Sequence, residues 1–182
     1  MNVLLELQKK LFHLAKGKDL VLHQKDVLTL MGKEDNSASR MLLMRAVSAG
    51  ILHNPTRRIY VFSPAERINP QTIYKIARKL RSGHLNYLSL ESVLSESGRI
   101  SQMPIDRITI MTSGRSQVFE LEGIGVVEFT HTKKSMDTLA RNLIWDEDIG
   151  MFRVSPGTAL RDLKRIGRNL DMVEDEEEKE EK

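Results

Sequence analysis

The chain of 182 residues contains no cysteine. Structural disulfides, thiolate zinc sites and cysteine nucleophiles are therefore excluded. Long apolar runs are missing as well, for no stretch approaches the roughly 20 residues that a membrane-crossing helix requires. The opening stretch, MNVLLELQKKLFHLAKGK, has neither an extended apolar core nor a small-residue cleavage site, so it does not read as a signal peptide. A phosphate-cradling loop is absent, because Gly123-Ile124-Gly125 lies between strand-like runs and lacks the helix and lysine that such a loop needs. His13, His23 and His53 have no carboxylate or histidine partner at metal-ligand spacing. The expectation is a soluble, cytoplasmic, nucleoid-associated protein with no cofactor, no metal and no membrane partner.

An apolar fraction of 40% is enough for packed cores. The length suits one medium domain or two small ones. The net charge of +3 is unevenly spread. Residues 1–64 carry ten Lys/Arg against five Asp/Glu, and residues 65–100 six against three. Residues 101–173 are balanced at ten of each, while the last nine, EDEEEKEEK, hold two against seven. That tail, 174–182, reads as an acidic disordered segment. The basic excess at the other end would displace counterions from phosphates.

That basic excess coincides with a recognisable layout. Asn2 to Lys16 forms a first helix with Leu4, Leu7, Leu11, Leu14 and Ala15 on one side, ended by Gly17. His23 to Met31 forms a second, stopped at Gly32. The stretch KEDNSASRMLLMRAVSAGILHNPTRRIYVF then begins a third at Asn36 and Ser37, whose short polar side chains satisfy first-turn N–H groups. Leu42, Leu43, Ala46 and Val47 share its buried side, and Gly50 ends it. A β-type run, Ile51-Leu52-His53, a polar turn, Asn54 to Arg57, and a second run, Arg58 to Phe62, follow. A capped helix leading into a ribbon with a basic tip is the layout of a winged helix-turn-helix, placed at 1–64. On the helical wheel Ser37, Met41, Arg45 and Ser48 point outward, with Arg40 on the flank. The predicted DNA-binding set is Lys33, Asn36, Ser37, Ser39, Arg40, Arg45, Ser48, Arg57 and Arg58. Ordinary solvation accounts for any one arginine, whereas the group favours a duplex.

Pro64 and Pro70 interrupt the periodicity, so the boundary falls at 63–70 and a second α+β domain occupies 70–173. A helix from Pro70 to about Ser82 buries Ile73, Ile76, Ala77 and Leu80. Its other face carries Lys75, Arg78, Lys79 and Arg81, either a second DNA-contacting surface or a solvated face. Ser89 caps a short helix ended by Gly98. After Met103-Pro104, three strand-like runs (Arg107–Thr112, Gln117–Leu121, Val126–His131) suggest a small antiparallel sheet arranged as a meander. A helix over Ser135–Ile144, a strand over Met151–Val154 and a helix over Pro156–Leu170 complete the reading. The fold class is thus α+β.

Within this region YLSLESVLSESGRISQMP, followed by ITIMTSGRSQVFELEGIGVVEFTHT, resembles the AbiEi family of abortive-infection antitoxins and transcriptional regulators. Tyr87, Ser89, Glu91, Ser92, Leu94 and Gly98 match that family's helix, Thr112 and Arg115 its turn, and Phe129 and His131 its closing strand. Val93 stands where alanine is common. The resemblance spans 1–135 and implies a DNA-binding autorepressor acting on inverted repeats upstream of its own operon. It also implies an antitoxin of a type IV toxin–antitoxin system. The cognate nucleotidyltransferase toxin would be a functional rather than a stable physical partner. Arg78, Lys79, Arg81 and Arg115 form the candidate antitoxin surface.

Two alternatives remain open for the C-terminal region. Glu120 and Glu122, near His131, are the material of a metal-dependent nuclease, although no lysine follows at nuclease-like spacing. A protein-interaction module is the other. No catalytic residue is assigned, and the expectation is that the protein is not an enzyme.

Overall fold

The computed structural model describes residues 2–65, 68–100 and 106–173. The acidic tail at 174–182, Met103-Pro104, and Glu66-Arg67 in the boundary segment lie outside these. By internal contacts the chain divides into one unit of Met1–Leu80 with Glu120–Ile124, and another of Arg81–Phe119 with Gly125–Lys182. Among the described residues no helix is long and apolar enough to cross a membrane. The class is α+β.

The first unit begins with α1 (Val3–Ala15), capped by Asn2 Oδ1, which accepts from Leu4 N at 3.2 Å. Then follow β1 (Leu20–His23), α2 (Gln24–Leu30), α3 (Ser37–Ser48), β2 (His53–Thr56) and β3 (Ile59–Phe62). The strands form an antiparallel sheet in the order β1-β3-β2, with Leu20 opposite Phe62 and His23 opposite Ile59. Leu7, Leu11, Val27, Leu28, Leu43, Ala46, Leu52 and Phe62 join in one buried cluster, so the helical stripes converge on the sheet.

Two expectations change here. Asn54, Pro55 and Thr56 are not the turn; they belong to β2, and the tip is Arg57-Arg58, with Arg58 at φ 64°. An edge strand tolerates a proline, which needs no ladder donor on its open side. Asn54 Nδ2 then braces the tip by donating to Thr56 O at 2.8 Å and Ile59 O at 2.6 Å. The segment from Ile51 to Leu52 lies outside any strand.

The second change concerns the boundary. Helix α4 (Thr72–Leu80) packs on β1 and β3, so the division falls after Leu80 rather than at 63–70. Ile73, Ile76 and Ala77 are buried. Asp19 anchors the approach: Ser63 Oγ and Thr72 Oγ1 each donate to its carboxylate at 2.6 Å, and Asn69 N donates at 2.7 Å. Burial alone would raise the Asp19 pKa, but these donors outweigh it and hold the carboxyl below its ordinary value. Lys79 pairs with Asp26 at 2.9 Å.

The second unit contributes β4 (Asn86–Leu88), α5 (Leu90–Glu96), β5 (Arg107–Thr112), β6 (Gln117–Leu121), β7 (Gly125–His131) and α6 (Met136–Leu139). It closes with β8 (Ile144–Asp146), β9 (Met151–Arg153), α7 (Pro156–Ile166) and a 3₁₀ turn at Leu170–Met172. The end of β6, Glu120 and Leu121, groups with the first unit. The sheet order is β6-β7-β5-β4-β9-β8. It is mixed and six-stranded, not a small antiparallel meander: β7 runs parallel to β5, and β9 parallel to β4.

Gly125 permits the parallel pair. Its φ is +145°, and a Cβ there would stand 2.0 Å from Asp106 O, so only glycine lets β7 enter beside β5. Val126 N donates to that same carbonyl at 2.7 Å. The helix expected over 135–144 shrinks to α6, because the backbone of Ile144–Asp146 pairs with β9. On this edge Trp145 is 52% exposed and meets Phe152 edge-on, with ring centroids 5.1 Å apart.

Candidate nucleic-acid interface

Helix α3 is positioned by its cap and its stripe. Asn36 Oδ1 accepts from Ser39 N at 2.9 Å, so this side chain is turned onto its own helix instead of outward. Ser39, Leu43 and Ala46 fall on one face at helical spacing, and all three are buried. With Ser39 only 3% exposed, its side chain is withdrawn from the predicted contact set. Ser37, Arg45 and Ser48 are exposed, as are Lys33 and Arg40.

Arg40 is engaged already: its Nε meets Asp35 Oδ1 at 2.7 Å, while Gln24 Nε2 donates to Asp35 Oδ2 at 2.9 Å. The Arg40 hydrogen bond holds the Asp35 carboxyl below its ordinary value. Both partners are solvent-exposed, so the pair is weak and can open for a stronger anion. Arg45, Arg57 and Lys33, by contrast, make no ion pair with a described residue. Helical spacing did not single out Met44, yet it is 69% exposed beside Met41 at 57%. Large apolar side chains on a solvent-facing helix are a signal readable only once the buried stripe is known.

Hairpin β2–β3 holds its tip rigidly. Gln24 N donates to Arg58 O at 2.8 Å, tying the tip to the start of α2. At the other side of β2, Glu122 N donates to Pro55 O at 2.9 Å, and His53 Nε2 donates to Glu122 O at 2.6 Å. Both guanidiniums at the tip are exposed. The site is therefore an exposed face of α3, bearing Arg45, two methionines and hydroxyls, with a braced dibasic tip in the same unit.

The residues of the predicted antitoxin surface fall in both units. Exposed Arg78 and the paired Lys79 belong to α4 in the first unit, whereas Arg81 and Arg115 belong to the second. The residues that carry the family resemblance are mostly internal. Tyr87 and Ser89 are fully buried and donate to Asp162 Oδ2 at 3.4 and 3.0 Å, with Lys134 Nζ at 2.5 Å from Asp162 Oδ1. Burial, then the charge of Asp162, pushes the Tyr87 phenol pKa up. Glu91 accepts from Arg168 at 3.0 and 3.1 Å, and Ser92 exchanges bonds with Thr109 at 3.0 and 2.8 Å. These groups clasp α5 against β5 and α7. Glu120 and Glu122 are exposed, and no group of three or more His, Cys, Asp or Glu is gathered for a metal ion among the described residues.

No protein-family model matches the chain, and no curated protein does. Its fold is similar to that of the RV2827C protein from Mycobacterium tuberculosis in a crystal structure, with a TM-score of 0.59 and 12% identity. The likeness covers 90% of this chain and 60% of that protein, so the chain spans about three-fifths of its length. At this identity the shared property is the fold.

Proposed function

We propose that the protein is a DNA-binding autorepressor whose first unit is a winged helix-turn-helix, and that it is an antitoxin of AbiEi type. One observation carries the DNA-binding reading. The element order α1-β1-α2-α3-β2-β3 with sheet order β1-β3-β2 leaves α3 with a solvent-facing side and a braced Arg57-Arg58 tip. In a winged helix the corresponding helix enters the major groove and the hairpin lies along the backbone. Arg45 then forks onto a guanine edge or a phosphate, Met41 and Met44 meet thymine methyls, and Arg57 and Arg58 reach phosphates.

The test is a gel shift on DNA from upstream of the protein's own operon, across a series of salt concentrations. The expected result is a shift at low ionic strength that weakens steeply with salt. Arg45→Ala combined with Arg57→Ala should cost about 2 kcal/mol or more. A protein that ignores this DNA at low salt, or a double variant that binds as well as the parent, would overturn the reading.

The antitoxin role rests on the resemblance carried by Tyr87, Ser89, Glu91, Thr112, Arg115 and His131. Co-expression with a neighbouring nucleotidyltransferase tests it. Growth restored without co-purification is the expected outcome, and persistent toxicity opposes it.

A further inference from the structure

The second unit holds a cavity of about 490 Å³ lined by Arg81, His84, Arg115, His131, Ser113 and Ser116. None of the described residues lining it is a carboxylate. Two guanidiniums gathered without an acid repel one another unless an anion joins them. The groups are also held in place. Arg81 Nη2 donates to Gln117 Oε1 at 2.8 Å and Arg115 O at 3.2 Å, and its guanidinium lies over Phe129 and Phe119 at 5.3 and 5.5 Å from the ring centroids. Its Nε–H is buried with no acceptor, the kind of orphan donor that calls for an explanation.

The hydroxyls are oriented too. Ser113 Oγ accepts from Leu85 N at 3.1 Å and Ser116 Oγ accepts from His131 N at 2.8 Å. With a lone pair of each already engaged by a backbone amide, each hydroxyl hydrogen is left to donate. His131 Nδ1 lies 2.8 Å from Gly114 O, so Nδ1 carries the proton and Nε2 is the free ring atom. Gly114 keeps the wall thin, since a Cβ there would come within 3.3 Å of the His84 ring.

We infer that this cavity binds a phosphate-type oxyanion, either inorganic phosphate or the phosphomonoester end of a small molecule. Oxygen-only recognition follows from a lining of cations and hydroxyl donors. No Phe, Tyr or Trp is among the described residues that line it, and its cations and hydroxyls make the phosphate group what the site reads. This assignment is independent of DNA binding by the first unit.

Imidazole resonances of the 182-residue chain provide the test, because two of its five histidines line the cavity and the other three do not. Inorganic phosphate and 5′-AMP are titrated separately at constant pH, with chloride at matched ionic strength as the control. His84 and His131 should shift saturably, while His13, His23 and His53 stay still. Arg115→Gln, at an exposed residue, should weaken phosphate binding about tenfold. Binding of phosphate alone assigns free phosphate as the source, and tighter binding of AMP assigns a phosphomonoester; either supports the site. Unmoved His84 and His131 at millimolar phosphate, equal shifts with chloride, or undiminished binding by Arg115→Gln would overturn it. So would a duplex lacking terminal phosphates that moves these resonances when phosphate and AMP do not.

Discussion

Asn36 turns its side chain back onto α3, so its removal tests the helix more than any ligand. Asn36→Ala should lower stability by about 1 kcal/mol, read as a shift in the denaturant midpoint. Gly125 is more demanding. Because a Cβ there would collide with Asp106 O at 2.0 Å, Gly125→Ala should cost at least about 2 kcal/mol and loosen the β5–β7 pair. Asp19 sets a pH dependence. Its folded pKa lies below the ordinary 3.8, so its contribution is complete above that value and is lost as pH falls through the folded pKa. Urea midpoints followed by circular dichroism should therefore drop in acid below pH 3.8. Asp19→Asn should flatten that part of the profile and reduce stability at neutral pH.

Among elements, α4 shows how burial reassigns a segment. Ile76 is fully buried where α4 packs on β1 and β3. Ile76→Ala should destabilise the first unit by about 2–4 kcal/mol and speed amide exchange in β1 and β3. Much of this level was legible in the sequence: α1, α3, β5 and β6 were marked by caps and periodicity strong enough to survive context. Helix α1 could be read from Asn2 and the Leu7, Leu11, Ala15 stripe. Strands β1 and β4 could not, because each is a few residues long and is made a strand by a distant partner, Phe62 for Leu20 and Met111 for Tyr87. Pairing direction is likewise invisible locally. Nothing in Arg107–Thr112 says that its neighbour will run parallel. The phosphate cavity was illegible for the same reason, since the sheet register and tight turns bring His84 and Ser113 toward His131.

Across the whole molecule the charge is divided by sequence position, with the basic excess in 1–100 and the acidic excess in the last nine residues. Deleting 174–182 removes seven acids and two lysines, which should strengthen non-specific DNA binding at low salt. The gain should fade as salt is raised, which a fluorescence-anisotropy titration with unrelated duplex would show.

The chain has a single tryptophan, and it sits half-exposed on the outermost strand of the second unit. Intrinsic emission excited at the indole will thus start red-shifted even in the native state. A one-wavelength optical melt of this protein therefore reads the loosening of that sheet edge first and foremost.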